Sequence, residues 1–291
     1  MRIAFFGTPS LTLPVLDELH ARDLTPSLIV AAPDKPVGRK QTITSPESVA
    51  WAHEHSVPTW QPTDRNNFLE PSSPLHKEEW DVFVVFAYGA LIPSSILDIP
   101  RNGTINLHPS LLPKLRGPSP IRSAILTDQN ETGVSVMLLD EKMDHGPILA
   151  QQPVTIPRDD WPISGIELDT QLITTGAKLL SKTLILWHEG KIEPREQEHE
   201  KATYCRMIKK EDAKLLIDPY NLPTGHEAYE TLLRIRAYEG WPVAFFEYRG
   251  QRIKITSSKI TKDGRLLLKR VIPAGKREMD FSQYISSLDQ S

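Results

Sequence analysis

Cysteine is almost missing from this chain: Cys205 is the only one in 291 residues. One thiol cannot close an internal disulfide or build a cysteine metal site, and such scarcity agrees with a reducing compartment. Long apolar runs are missing as well. No stretch approaches the roughly 20 residues needed to cross a bilayer. The opening Met1-Arg2-Ile3-Ala4-Phe5-Phe6-Gly7 is broken too early to serve as a signal peptide, so a cytoplasmic protein with no membrane partner is expected. Two phosphate-binding signatures are also absent. Gly7-Thr8-Pro9-Ser10 lacks the repeated glycines that let a pyrophosphate approach a helix start, and no Gly-Lys-Ser/Thr loop follows any strand, which excludes nicotinamide and ATP chemistry. His53 and His55 have no metal-site spacing around them and read as a solvated helix face, so no metal is expected.

What is present is ordinary globular composition, with 39% hydrophobic and 24% charged residues, in a chain long enough for two domains. The net charge of −3 hides an uneven distribution. Residues 1–200 hold 17 basic and 26 acidic side chains, a balance of −9, whereas residues 201–291 hold 17 and 11, a balance of +6. A basic carboxy-terminal module beside an acidic one suits long-range attraction of a polyanion such as RNA.

The first half alternates short apolar runs with helical spacing. Ile3–Phe6, Leu28–Ala32, Asp81–Ala87, Gly103–His108 and Gly133–Leu139 read as strands, with helical patterns at Leu11–Leu19 and Pro46–His55. Strands without polar alternation are covered on both faces, as in a mostly parallel sheet, and ligands of such α/β sheets sit beyond the carboxyl ends of the strands. Ile166–Lys191 has the spacing of a long amphipathic helix stopped by Gly190, and the charge-dense stretch Lys191–Lys201 has the composition of an exposed connector, with a domain boundary near residue 200. Beyond it come a helix at Ala228–Tyr238 and three β-rich runs, Val243–Tyr248, Arg252–Thr256 and Leu266–Val271, which read as a small β-barrel or a barrel remnant. The tail Phe281–Ser291 reads as either a short helix or a frayed end.

Chemistry concentrates in Asn106-Leu107-His108-Pro109-Ser110-Leu111-Leu112-Pro113 and, about thirty residues later, Met143-Asp144-His145-Gly146. Asn106 and His108 are two apart on a strand, so both side chains point to one face. A carboxamide and an imidazole are donors that a developing oxyanion requires, and a carboxylate such as Asp144 would orient the imidazole. The set reads as an acyl-transfer centre.

With these blocks in place, the chain resembles the methionyl-tRNA formyltransferases, a branch of the folate-dependent formyltransferases, over nearly its full length. The likeness rests on Phe6-Gly7-Thr8-Pro9, Pro33-Asp34-Lys35-Pro36 with Gly38-Arg39, Phe86-Ala87-Tyr88-Gly89, Asn106-x-His108 with Ser110-Leu111-Leu112-Pro113 and Arg116-Gly117, Glu131-Thr132-Gly133-Val134, and Met143-Asp144-x-Gly146. Tyr204, Ile208-x-Lys210-Glu211-Asp212-Ala213, Ile235-Arg236-Ala237-Tyr238 with Trp241-Pro242, and Pro273-Ala274-Gly275-Lys276 are similar to the tRNA-directed branch.

The resemblance implies an α/β, Rossmann-like formyltransferase domain at 1–190, a linker at 191–203, and an OB-like β-barrel at 204–291 that is shortened between Ile260 and Leu266. It also implies transfer of a formyl group from the co-substrate 10-formyltetrahydrofolate to the amine of initiator methionyl-tRNA, by a monomer. By that likeness Asn106 and His108 stabilise the oxyanion, and Asp144 orients His108 and holds a relay water. Ser110, Leu111, Leu112, Pro113, Tyr88 and Gly89 bind the folate, and Lys35, Arg39, Lys40, Lys209 and Lys210 bind tRNA.

The sequence departs from the family pattern in places. Gln41 and Thr42 stand where more lysine is expected, Pro109 where glycine is common, and His145 where threonine follows the acid. Two other readings share the same residues: a folate-dependent N-formyltransferase acting on an amino sugar nucleotide or other small amine, and a silent RNA-binding protein on the same scaffold. The intact Asn, His and Asp argue against the second.

Overall fold

A computed structural model describes residues 1–38 and 40–289. The chain divides into two compact units, Met1–Pro120 with Thr132–Val154 and Thr170–Cys205, and Ile121–Glu131 with Thr155–Asp169 and Arg206–Ser291. Among the described residues no helix is long and apolar enough to cross a membrane.

In the first unit the strands are β1 (Ile3–Phe6), β2 (Leu28–Val30), β3 (Lys35–Val37), β4 (Thr42–Thr44), β5 (Thr59–Trp60), β6 (Val82–Val85), β7 (Thr104–His108), β8 (Glu131–Leu138) and β9 (Ile148–Thr155). The main sheet has the order β5-β2-β1-β6-β7-β8-β9. Pairing is parallel from β5 through β7, and β8 then runs antiparallel to β7. The mostly parallel sheet expected from the unbroken apolar runs is observed, in the Rossmann-like arrangement that the resemblance implies. β1, β2 and β7 are buried at every position, as two-sided cover requires.

The chain leaves β1 in one direction for β2 and β5, then returns to β6 and β7 on the other side. The order therefore reverses between β1 and β6, the kind of place where α/β sheets form a crevice. One face of the sheet is filled by Phe6, Phe68, Trp80, Phe83 and Tyr88. The helices α1 (Leu13–Ala21), α2 (Glu47–Glu54), α3 (Ser94–Leu97), α4 (Pro120–Leu126) and α5 (Gly165–His188) follow in chain order. In α5, Gly176 has no side chain because a Cβ there would stand 3.0 Å from Leu107 of β7, so the helix packs closely on that strand. Gly190 stops α5 in the left-handed region at φ 68, with Lys191 donating to the Leu186 carbonyl at 2.8 Å.

Apolar pattern revealed neither the edge strands β5 and β9, nor the β3–β4 pair, nor the short helices α3 and α4. β9 extends the sheet, α3 is a single turn, and β3 pairs with β4 in a hairpin inside the Pro-rich loop 34–46. The stretch 191–203, read as an exposed connector, is instead tied to the first unit. Arg195 pairs with Ile148 at 2.8 and 2.9 Å, and Gln197 is buried. Its charged side chains face water while its backbone is held, and composition cannot separate the two.

Besides most of α4 and the first turn of α5, the second unit contains α6 (Gly225–Ala237), the strands β10 (Phe245–Tyr248), β11 (Gln251–Ile260), β12 (Leu266–Pro273) and β13 (Met279–Asp280), and α7 (Phe281–Asp289). The strands form an antiparallel sheet in the order β10-β11-β12-β13, consistent with a small barrel domain. The fourth strand, two residues long, was too short to register as a pattern, and the tail is helical. Alternation puts Ile253 and Ile255 of β11 and Leu266 and Leu268 of β12 inside, and a register break beside Ser257 resets the pattern so that Val271 is buried too.

Candidate active site

The polar face of β7 builds the site. Ile105 and Leu107 alternate with Thr104, Asn106 and His108, and Leu107 is the residue that meets α5. Asn106 and His108 therefore share the opposite face, as their spacing of two dictates. Asn106 lies level with Val85 of β6 and Met137 of β8, and His108 with Ser135 of β8. Both are buried, at 9% and 4% exposure.

The loop after β7 fixes the imidazole. His108 Nε2 lies 2.9 Å from the Leu115 carbonyl. A carbonyl only accepts, so Nε2 carries the proton in this bond. Leu115 reaches that position with φ at 57 and donates its own N–H to Thr203 Oγ1 at 2.8 Å. The other ring nitrogen, Nδ1, faces Asp144 Oδ1 at 3.7 Å, beyond hydrogen-bond range but close enough for charge pairing. The orientation expected from Asp144 is thus supplied by the Leu115 carbonyl.

Asp144 comes from the turn between β8 and β9. Its backbone is left-handed at φ 49, and its Oδ2 accepts the Gly117 N–H at 2.7 Å. Two glycines make this approach possible. A Cβ on Gly117, where φ is 116, would sit 2.3 Å from the Cys205 carbonyl oxygen, and one on Gly146 would sit 2.2 Å from that of Leu138.

The residues expected around the folate divide into two groups. Tyr88, Ser110 and Leu112 turn inward. Tyr88 packs against Phe6 and Phe68, and burial pushes its hydroxyl up to about 12. Ser110 donates its hydroxyl to the Lys114 carbonyl at 2.6 Å, and Leu112 packs with Met137 and Ile148. Amides of the loop are engaged as well: Ser110 N–H with His108 O, Leu112 N–H with Ser135 Oγ, and Lys114 N–H with Leu111 O. Three of the N–H groups in this loop are thus engaged within the protein. Leu111 and Pro113 are half-buried, and Gly89 is exposed. Gly89 belongs to the turn leaving β6, where Ala87 and Gly89 are left-handed at φ 51 and 79 and Leu91 is 77% exposed.

Lys35 and Lys40 are exposed on and beside the β3–β4 hairpin of the first unit, while Arg39 lies outside the described residues. Lys209 and Lys210 are exposed in the second unit at the start of a short 3-10 turn, Lys210–Ala213. Among the described residues no group of three His, Cys, Asp or Glu side chains is arranged to hold a metal ion. Sequence reasoning missed Gln197 and the buried Arg116 side chain. Arg116 directs Nε and Nη2 to Gln197 Oε1 at 3.1 and 2.6 Å, and Gln197 Nε2 donates to the carbonyls of Asp144 and Gly146 at 3.0 and 2.7 Å. Nothing in their spacing, 81 residues apart, announces the pair.

Residues 1–171 match the formyl transferase family. A methionyl-tRNA formyltransferase from Bacillus cytotoxicus is 35% identical, the match covering 98% of this chain and 95% of the relative. The chain belongs to the methionyl-tRNA formyltransferase family. A second member, from Synechococcus sp. (strain JA-3-3Ab), is 39% identical over 89% of this chain and 77% of its own. Two solved structures share the fold. Methionyl-tRNA formyltransferase from Clostridium thermocellum superposes with a TM-score of 0.59 at 17% identity, covering 94% of this chain and 98% of that one. An N-formyltransferase from Helicobacter canadensis, in complex with folinic acid and dTDP-3-aminofucose, gives 0.65 at 15% identity, covering 94% and 100%. At such identity these two speak for the fold alone.

Proposed function

We propose that this chain transfers the formyl group of 10-formyltetrahydrofolate to the α-amine of methionyl initiator tRNA, with Asn106, His108 and Asp144 at the reacting carbon. The observation that carries the reading is the meeting of three groups from two segments: a carboxamide and an imidazole on one face at the end of β7, and a carboxylate from the turn after β8, 3.7 Å from the imidazole. The folate donor supplies an activated formyl group. The turn leaving β6, with exposed Leu91 and left-handed Ala87 and Gly89, fits a flat heteroaromatic ring, and Leu111 and Pro113 wall the site on the side of the loop.

The Asn106 carboxamide donates to the charge that gathers on the formyl oxygen as the amine adds. A preorganised donor of this kind is worth on the order of a hundredfold in rate. His108 holds Nε2–H on Leu115 and so presents Nδ1 to Asp144. The proton lost by the amine is taken up between Nδ1 and Asp144, directly or through one water, where it turns an unfavourable lone-pair contact into an ion pair. The same pair returns the proton to the folate nitrogen as the bond from nitrogen to carbon breaks. The products are formylated aminoacyl-tRNA and tetrahydrofolate. Residues 204–291, with Lys209 and Lys210, serve as the tRNA-binding module, and Lys35, Arg39 and Lys40 meet the acceptor end.

The test is incubation with 10-formyltetrahydrofolate and either methionyl-tRNA or a panel of amino sugar nucleotides, with formylated product measured. Formylation of tRNA alone is expected, with a loss of about a hundredfold or more in kcat for Asn106→Ala, His108→Ala and Asp144→Asn. Formylation of a sugar in preference to tRNA would overturn the acceptor, and near-native kcat in any variant would remove that residue from the mechanism.

A further inference from the structure

Asp144 is held in place from outside its own turn. Its left-handed backbone, at φ 49, is disfavoured for an L residue, so the surrounding structure must impose it. The side chain that does so is Gln197, 4% exposed. Its Nε2 donates to the carbonyl of Asp144 at 3.0 Å and to that of Gly146 at 2.7 Å. Its Oε1 accepts Arg116 Nε at 3.1 Å and Nη2 at 2.6 Å. Arginine only donates and carbonyls only accept, so the amide has a single orientation that satisfies all four contacts.

Arg116 completes the clamp. The residue is 1% exposed, and its guanidinium is met by Gln197, His199 Nδ1 at 2.8 Å and the Tyr204 hydroxyl at 3.4 Å. The next residue, Gly117, gives its N–H to the Asp144 carboxylate at 2.7 Å. One carboxamide thus ties the backbone that carries Asp144 to the arginine whose neighbour anchors the Asp144 carboxylate.

We infer that Gln197 is a positioning residue for Asp144: it touches no reacting atom and acts by fixing where the carboxylate stands relative to His108. This rests on the proposed role of Asp144. Two substitutions probe it differently. Gln197→Met keeps the length and loses all four hydrogen bonds. Gln197→Glu keeps an acceptor, now charged, for Arg116, but turns a carboxylate oxygen toward two carbonyls, so it breaks the link to Asp144 while leaving the arginine paired.

The experiment measures kcat and KM for methionyl-tRNA against pH for the full chain carrying each change, alone and combined with Asp144→Asn, with thermal unfolding followed in parallel. Both Gln197 variants are expected to lose about tenfold or more in kcat with little change in KM, and their pH profiles to move toward that of Asp144→Asn. In the Asp144→Asn background the same changes are expected to cost less than about twofold, because a residue that acts through another has nothing left to position. Should Gln197→Met fail to fold, Gln197→Glu carries the test. An equal loss in both backgrounds, or native kcat in the Gln197 variants while Asp144→Asn is impaired, overturns the inference. Native kcat in Asp144→Asn itself instead overturns the role given to Asp144, so the two failures are told apart.

Discussion

Replacing Gly146 by alanine should separate the position of Asp144 from its chemistry. A Cβ on Gly146 would lie 2.2 Å from the Leu138 carbonyl oxygen, more than 1 Å short of ordinary contact near 3.4 Å. Leu138 cannot give way easily. It pairs with Ile105 of β7, its N–H is bonded to Pro147 O at 2.9 Å, and Leu139 N–H is bonded to Thr104 O at 2.8 Å. The turn that carries Asp144 must therefore move.

Moving the carboxylate by about 1 Å from its 3.7 Å separation weakens its attraction for a charged imidazole by about 1 kcal/mol at an effective dielectric near 20. If the bond from Gly117 N–H also breaks, about 1.5–3 kcal/mol more is lost, since the acceptor is charged. Together these predict a fall in kcat between about seventyfold and a thousandfold. Overpacking adds about 1–3 kcal/mol of destabilisation, a drop of several degrees in melting temperature. Formyl transfer at saturating substrates gives the first quantity and thermal unfolding the second. A variant that melts several degrees lower yet keeps kcat within about threefold would show that the placement of Asp144 is not what limits catalysis.

Other perturbations reach different parts of the molecule. Tyr229 donates its hydroxyl to Asp128 Oδ1 at 2.7 Å, and burial, followed by this bond, holds the phenol up at about 12. A raised folded-state value means that its contribution is complete below the unfolded value near 10 and is lost as pH rises through about 12. The stability gap between the native chain and Tyr229→Phe, measured by denaturant unfolding, should therefore be about 1 kcal/mol at pH 8 and shrink between pH 10 and 12. A gap that is flat with pH would refute the assignment. On the acid side, Asp128 itself is held low because hydrogen bonds from Tyr229, Trp161 and Arg158 outweigh the upward push of burial, so Asp128→Asn should cost stability at neutral pH and less as pH falls through the lowered value. Converting Lys209 and Lys210 together to alanine should raise KM for tRNA while kcat at saturating tRNA holds, and should reduce the salt slope of binding by roughly one unit per lost phosphate contact. An unchanged slope would take these lysines out of the interface.

Features carried by local periodicity were legible in the sequence. Asn106 and His108 share a face because strand side chains alternate, and α5 ends where Gly190 permits a left-handed turn. Elements that depend on a distant partner were not. β13 is two residues long and exists because β12 offers an edge. Tyr88 and Leu112, expected beside the folate, have side chains that the core claims first, since a largely apolar side chain gains more from burial against Phe6 or Met137 than from lining an open site.

The larger misreading concerns the stretch before Cys205, and its cause is physical. Glu193, Glu196, Glu198 and Glu200 give this stretch a solvated composition, which hides what its backbone and its few buried groups do. Three residues of the site stand in left-handed conformations, Leu115 at φ 57, Gly117 at φ 116 and Asp144 at φ 49. Each is braced from residues 197–205. Thr203 takes the Leu115 N–H on its hydroxyl and the Arg116 N–H on its carbonyl at 2.9 Å, Cys205 donates to the Arg116 carbonyl at 2.7 Å, and Gln197 grips the Asp144 turn. Strained backbone persists only where neighbours over-determine it, so a segment whose charge content suggests a spacer is the one that holds the imidazole and the carboxylate face to face.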